Sequence, residues 1–204
     1  RCLSRGLGDV YKRQLINKVI ENESIKALVL RINTPGGSVF ASELIRDALL
    51  RLKDKKIPIV TSMGGVAASG GYWVASSTDY IYAENLSITG SIGVASVIFN
   101  AEETYNKIGL NEDGVSLSVF SDTNKVIYSQ KPDDRLIKLN KLTIKNIYEK
   151  FIDVVSKGRN LSTQKVNNIA KGQVWVSKDA LRLNLIDEIG SCLLYTSPSP
   201  RDKH

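Results

Sequence analysis

Apolar residues follow two rhythms along this chain. In the first half, short runs rich in branched side chains alternate with stretches spaced three and four apart. Ala27-Leu-Val-Leu-Arg-Ile32 has the look of a buried parallel strand and ends in the turn Asn33-Thr-Pro-Gly-Gly37. Ser38 then stands where a helix N-cap belongs, and Leu44, Ile45, Ala48, Leu49 and Leu52 repeat at helical spacing behind it. Ile57-Pro-Ile-Val-Thr61 predicts the next strand, with Pro58 confined to its first positions. A Gly/Ala/Ser-rich turn and a helix to about Ser76 follow, then short strands at Tyr80–Ala83 and Ile92–Ala95. Strand–helix–strand repetition of this kind predicts an α/β domain with a largely parallel sheet. The second half is more helical. Residues 133–157 carry Leu136, Leu139, Ile144, Ile147, Phe151 and Val155 on one stripe, with Gly158 as the expected stop. Ser162 and Ser177 are expected to cap two short helices.

Two glycine-rich strand-to-helix turns stand out. In Gly64-Gly-Val-Ala-Ala-Ser-Gly-Gly, seven of eight residues are Gly, Ala or Ser, so the backbone can approach another group closely. A serine at the start of the following helix, Ser69, would present its hydroxyl beside free backbone N–H groups suited to a developing oxyanion. The turn Asn33–Ser38 lies at the carboxyl end of the preceding strand, where open α/β sheets place their sites. Gly36 and Gly37 could aim amides at the same point as Gly70. Tight helix-on-sheet packing, with Ser69 incidental, fits the same residues, and both readings stand at this level. Tyr72, Trp73 and Trp175 read as packing residues, and Asp79 and Glu84 as surface or ion-pair residues.

Composition changes the picture only after the ends are inspected. A back-translation of Gly8–Gln14 has a reverse complement that, read one base in, encodes Cys192 to Ser197. Two unrelated protein ends should not be inverted copies of one DNA segment, so 1–14 and 192–204 are expected to be translated adapter sequence and 15–191 the native domain. The full chain has a formal net charge of +7; residues 15–191 hold 22 basic and 19 acidic side chains, a net +3. Most of the basicity therefore belongs to the ends, and a nucleic-acid partner is not expected. Cys2, Cys192 and His204, the chain's whole complement of cysteine and histidine, also fall there. No disulfide, cysteine or histidine metal site, or imidazole base is expected of the domain. No cofactor is expected either.

The ordered motifs Asn33-Thr-Pro-Gly-Gly-Ser38, Gly65-Val-Ala-Ala-Ser-Gly-Gly-Tyr-Trp73 and Ile88-Thr-Gly-Ser-Ile-Gly93 resemble the signal peptide peptidase A family. Asp113-Gly-Val-Ser116 and Ile169-Ala-Lys-Gly-Gln-Val-Trp175 extend the likeness, which is greater to the C-terminal domain of the two-domain form. The resemblance implies a Clp-protease/crotonase-like α/β fold, with repeated β-β-α and βαβ units and a helical C-terminal part. It implies a serine–lysine peptidase acting on signal peptides or other short apolar peptides. Ser69 matches the nucleophile, Gly37 (or Gly36) and Gly70 the oxyanion-hole donors, and Ser91 the serine that helps hold the lysine. The resemblance further implies a homo-oligomer, a tetramer in the full-length protein. It also implies a membrane anchor further toward the N-terminus and a bacterial inner-membrane location with the domain facing the periplasm. The lysine is the point of departure. Gly114–Ser118 matches the stretch that carries it in single-domain members, but Leu117 stands in its place. Lys125 and Lys131 are nearby and read as solvated, so the base is expected from an N-terminal domain. A crotonase-type acyl-thioester enzyme and a non-catalytic assembly domain are the rival expectations.

Overall fold

A computed structural model of the chain describes residues 3–98, 100–110, 115, 117 and 134–190. They fall into two compact units, residues 1–93 with 148–204, and residues 94–147.

The first unit opens with helix α1 (Leu3–Glu21), which buries Ile16 and runs unbroken across the boundary at residue 14. Strand β1 (Leu28–Thr34), helix α2 (Val39–Asp54), strand β2 (Ile59–Ala68) and helix α3 (Gly70–Ala75) follow. Then come strands β3 (Tyr80–Ala83) and β4 (Ile88–Gly90). β2 is the strand the sheet shares. β1 pairs with it from Ile59 to Met63 and again at Ala67, β3 pairs with Val60–Met63, and β4 with Val66–Ala68, all parallel. The expected α/β domain with a largely parallel sheet is what forms.

Helix α4 (Glu102–Lys107) belongs to the second unit, and helix α5 (Asp134–Arg159) runs from the second unit into the first. Within the second unit the Asn140 amide donates to the Ser96 hydroxyl at 3.2 Å. Helix α6 (Thr163–Ile169), strand β5 (Val174–Val176), helix α7 (Ser177–Arg182) and strand β6 (Glu188–Ile189) complete the first unit. β6 extends the parallel sheet beside β3, while β5 is antiparallel to β4.

Apolar burial holds the first unit together. Leu49 and Leu52 of α2, Ile59 and Met63 of β2, Tyr72 and Trp73 of α3 and Phe151 of α5 are fully buried. Trp73 and Phe151 pack with ring centroids 4.7 Å apart. A buried tyrosine needs a partner for its hydroxyl, and Tyr72 donates to the Leu185 carbonyl at 2.8 Å. Burial also pushes the Tyr72 phenol well above its ordinary range. Arg159, at the end of α5, grips Asp187 with two bonds of 2.9 and 2.7 Å. Asp187 also accepts the Ile81 amide.

Several local expectations need correction. The Gly/Ala/Ser-rich stretch at 64–68 is not a turn but the second half of β2. Gly64 is required there because a Cβ would lie 2.9 Å from the Asn33 side chain, whose Oδ1 accepts the Val66 amide. No strand forms at 92–95; the strand is Ile88–Gly90, just before it. Gly158 does not stop α5, which continues to Arg159 before Asn160 turns with φ 51°. Ser38 and Ser162 cap as expected, accepting from the Ala41 and Lys165 amides. Ser177 does not; its hydroxyl donates to the Glu84 and Ser87 carbonyls instead.

Candidate active site

The carboxyl ends of β1, β2 and β4 meet at one place. Thr34 pairs with Ala67, and Ala68 with Gly90, so each strand delivers its following turn to the same edge. Ser69 lies between β2 and α3 with φ 51° and ψ −120°, a conformation non-glycine residues rarely adopt. Its amide donates to the Gly90 carbonyl at 2.9 Å, and its carbonyl accepts the Trp73 amide at 2.9 Å. The hydroxyl makes no capping bond to the helix it precedes. A half-buried serine is thus held by its backbone with its side chain left unused. This is the arrangement of a nucleophile elbow, a strained strand-to-helix turn that exposes an oxygen at the head of a sheet.

The second turn closes on the first. Gly36 has φ 118°, and a Cβ there would lie 2.6 Å from Ser69 Cβ and 3.0 Å from both Ser69 Oγ and the Gly70 nitrogen. A Cβ on Gly70 would lie 3.4 Å from the Gly37 nitrogen and 2.5 Å from Ser42 Oγ. Glycine at 36 and 70 permits this approach, which sets Gly36 against Ser69 and Gly70, and Gly70 against Gly37. Thr34, which sequence reasoning passed over, shapes the turn. Its hydroxyl accepts the Gly36 amide at 3.2 Å and donates to the Gly36 carbonyl at 3.3 Å. No amide bond from Gly37 or Gly70 to another group occurs among the described residues, so both donors remain for a ligand.

Ser91 follows Gly90, whose carbonyl holds the Ser69 amide. Ser91 has φ 49° and donates its own amide to the Gln173 carbonyl at 2.7 Å. The Gly90–Gly93 segment lies against residues 171–175, and a Cβ on Gly90 would meet the Trp175 ring at 2.8 Å. The three matched motifs are therefore joined through Ser69 and Gly90. Beside them a cleft of about 380 Å³ is lined by Gly36, Gly37 and Gly70 together with Ile32, Ile45 and Val74; Ser69 adjoins it through Gly70 without lining it. Lys12, exposed and within the 1–14 segment, is the one lysine lining it among the described residues. Leu117 is almost fully exposed, and Lys125 and Lys131 lie outside the described residues.

One charged group behind the site was not anticipated. Glu43, on the second turn of α2, accepts the Trp73 indole N–H at 2.8 Å and the guanidinium of Arg46 at 2.8 and 3.0 Å. It also pairs with the Lys150 ammonium at 2.8 Å. Arg46 foremost, with Lys150 and Trp73, holds its carboxyl at about 2 against the opposing effect of burial. The Arg46 pair is a local one, three residues along α2, but helical periodicity cannot reveal the Trp73 and Lys150 bonds, whose donors come from α3 and α5.

A parallel α/β domain with a strained serine turn facing a glycine turn is of the Clp-protease class, and residues 8–84 match the family model described as Clp protease. Residues 51–193 match the model described as Peptidase family S49, and the chain belongs to that family. It is 42% identical over 184 residues to "Protease 4" of Haemophilus influenzae, covering 90% of this chain and 29% of that protein. It is 36% identical over 185 residues to "Serine protease SPPA, chloroplastic" of Arabidopsis thaliana, covering 89% and 27%. With "Putative signal peptide peptidase SppA" of Enterococcus faecium the identity is 31% over 175 residues, covering 86% and 50%. The chain thus spans less than a third of the Protease 4 relative and half of the shorter one.

Proposed function

We propose that this chain is the serine-bearing part of a serine–lysine endopeptidase. The observation that carries the reading is the unused hydroxyl of Ser69, held in a strained elbow against Gly36, Gly37 and Gly70. In this scheme Ser69 Oγ attacks the scissile carbonyl as its proton passes to a neutral lysine amine. The carbonyl oxygen becomes an oxyanion that accepts from the amides of Gly70 and Gly37, since the Gly36 amide already donates to Thr34. Collapse expels the amine product, which takes up the proton, and water then releases the acyl group. Ser91 helps hold the lysine. The lysine itself comes from outside this chain, in keeping with relatives of which the chain spans only a part. Burial there would bring an amine from about 10.4 toward neutrality.

The substrates are short apolar peptides, signal peptides left after secretion among them, a use consistent with the name of the Enterococcus faecium relative. An extended peptide would lie along a strand edge with a small or apolar side chain in the 380 Å³ cleft. The full-length protein would act as a homo-oligomer, a tetramer, at the bacterial inner membrane, its peptidase part facing the periplasm and its anchor outside this chain. No described helix is long and apolar enough to cross a membrane.

Labelling with a fluorophosphonate probe tests this reading. In the full-length protein Ser69 is expected to react, and Ser69→Ala to abolish labelling and to slow apolar-peptide cleavage by about ten-thousand-fold. This chain alone is expected to label poorly. Labelling that survives Ser69→Ala would place the nucleophile elsewhere. A full-length protein that neither labels nor cleaves would leave the assembly role.

A further inference from the structure

We infer that Glu43 is a positioning residue that acts through Trp73 to hold Ser69 in register with the Gly36–Gly37 turn. The inference rests on the peptidase reading above. Two helices have to keep a fixed spacing for that site to work. α2 begins directly after Gly37 and Ser38, and α3 begins directly after Ser69. Glu43 is on α2 and Trp73 on α3, and their 2.8 Å bond ties the two helices side chain to side chain.

Trp73 passes the restraint on. Its amide donates to the Ser69 carbonyl at 2.9 Å, so the residue Glu43 grips is the one that closes the first helical turn on the nucleophile. Trp73 is 1% exposed and its ring packs on Phe151, which leaves the indole little freedom to swing. Packing alone would be satisfied by an apolar residue at position 43. A three-quarters buried carboxylate is costly unless its oxygens are paired, and here all are. Oε2 accepts from Trp73 and Arg46, while Oε1 accepts from Arg46 and Lys150. With three donor residues fixing the carboxylate, the Trp73 bond becomes a rigid strut. Held at about 2, the carboxylate stays charged wherever peptide cleavage is measured.

Displacement of a nucleophile by about 1 Å is enough to cost on the order of 100-fold in rate. The test is made in the full-length protein with Glu43→Leu, which removes the acceptor, Trp73→Phe, the double variant and Ser69→Ala. Fluorophosphonate inactivation is resolved into its maximal rate and its half-saturating concentration, well below each variant's melting temperature. Each single change is expected to lower the maximal rate by about 10- to 100-fold with little change in half-saturation. The double variant should be no slower than the slower single, because both changes break one strut. Equal maximal rates in wild type and Glu43→Leu would overturn the inference, as would losses that multiply in the double variant. If Glu43→Leu does not fold, Trp73→Phe decides, since it removes the indole N–H and keeps a ring against Phe151. A wild-type rate there overturns the inference. Labelling that persists in Ser69→Ala would instead strike at the peptidase reading, so the two failures are separable.

Discussion

Gly36→Ala is expected to silence Ser69 while leaving the domain folded. The added methyl would lie 2.6 Å from Ser69 Cβ and 3.0 Å from its Oγ, contacts that real Cβ atoms essentially do not make. The backbone there has φ 118°, which an alanine adopts only under strain. Either the turn retreats or Ser69 is pushed, and both outcomes separate the hydroxyl from the amides of Gly37 and Gly70. The damage is expected to stay local, because Pro35 and Gly37 are exposed. Strain of this kind costs about 1–3 kcal/mol, whereas fluorophosphonate labelling is expected to fall by about 100-fold or more. A Gly36→Ala protein that labels within twofold of wild type would show that the turn does not abut a reactive serine.

Gly158→Ala is expected to do the reverse and strike at folding. A Cβ at this position would lie 1.8 Å from the Ser76 carbonyl oxygen and 2.7 Å from its carbon. The obstacle is backbone with little room to yield: Ser76 is buried at the C-cap of α3, and the buried Val154 and Val155 pin α5 beside it. Alanine favours a helix interior over glycine by about 1 kcal/mol, yet forcing α5 off α3 should cost about 3 kcal/mol or more. Urea unfolding is the measurement, and a midpoint at or above wild type would mean the close crossing of α3 and α5 does not exist in solution. The two glycines thus have opposite duties, one serving a hydroxyl and the other a helix crossing.

Gly158 also marks where the sequence misleads. Read along the chain it looks like a helix stop, and only the partner helix discloses why no side chain fits. The same is true of Gly64, which reads as a turn residue and is a strand residue making room for Asn33. What local chemistry decides was legible. Ser38 and Ser162 announce their caps through their own hydroxyls, and Leu49 and Leu52 announce the buried face of α2 through their spacing. Ser69, Gly36, Gly37 and Gly70 stand out because two glycine-rich segments reach the ends of successive strands, and the fold brings those ends together. Thr34 and Glu43 carry no such signal. Glu43 shows only its i,i+3 pair with Arg46; the bonds to Trp73 and Lys150, like that of Thr34 to Gly36, depend on how helices pack and how the turn folds back. Lys125 and Lys131 fall outside the described residues, so the source of the base rests on the proposal above.

The sharing of β2 among β1, β3 and β4 gives the site an uneven resistance to opening. Amides in β2 are bonded along both strand edges, so they should exchange with deuterium only when the sheet itself comes apart. The Gly36–Gly37 turn hangs from β1 by Thr34 and one strand edge, and it should exchange through small local excursions. The floor that carries Ser69 and the roof that would cradle an oxyanion therefore breathe on different timescales. A peptide seated between them would be felt first in the roof, as slower exchange at Gly37 while β2 stays unchanged.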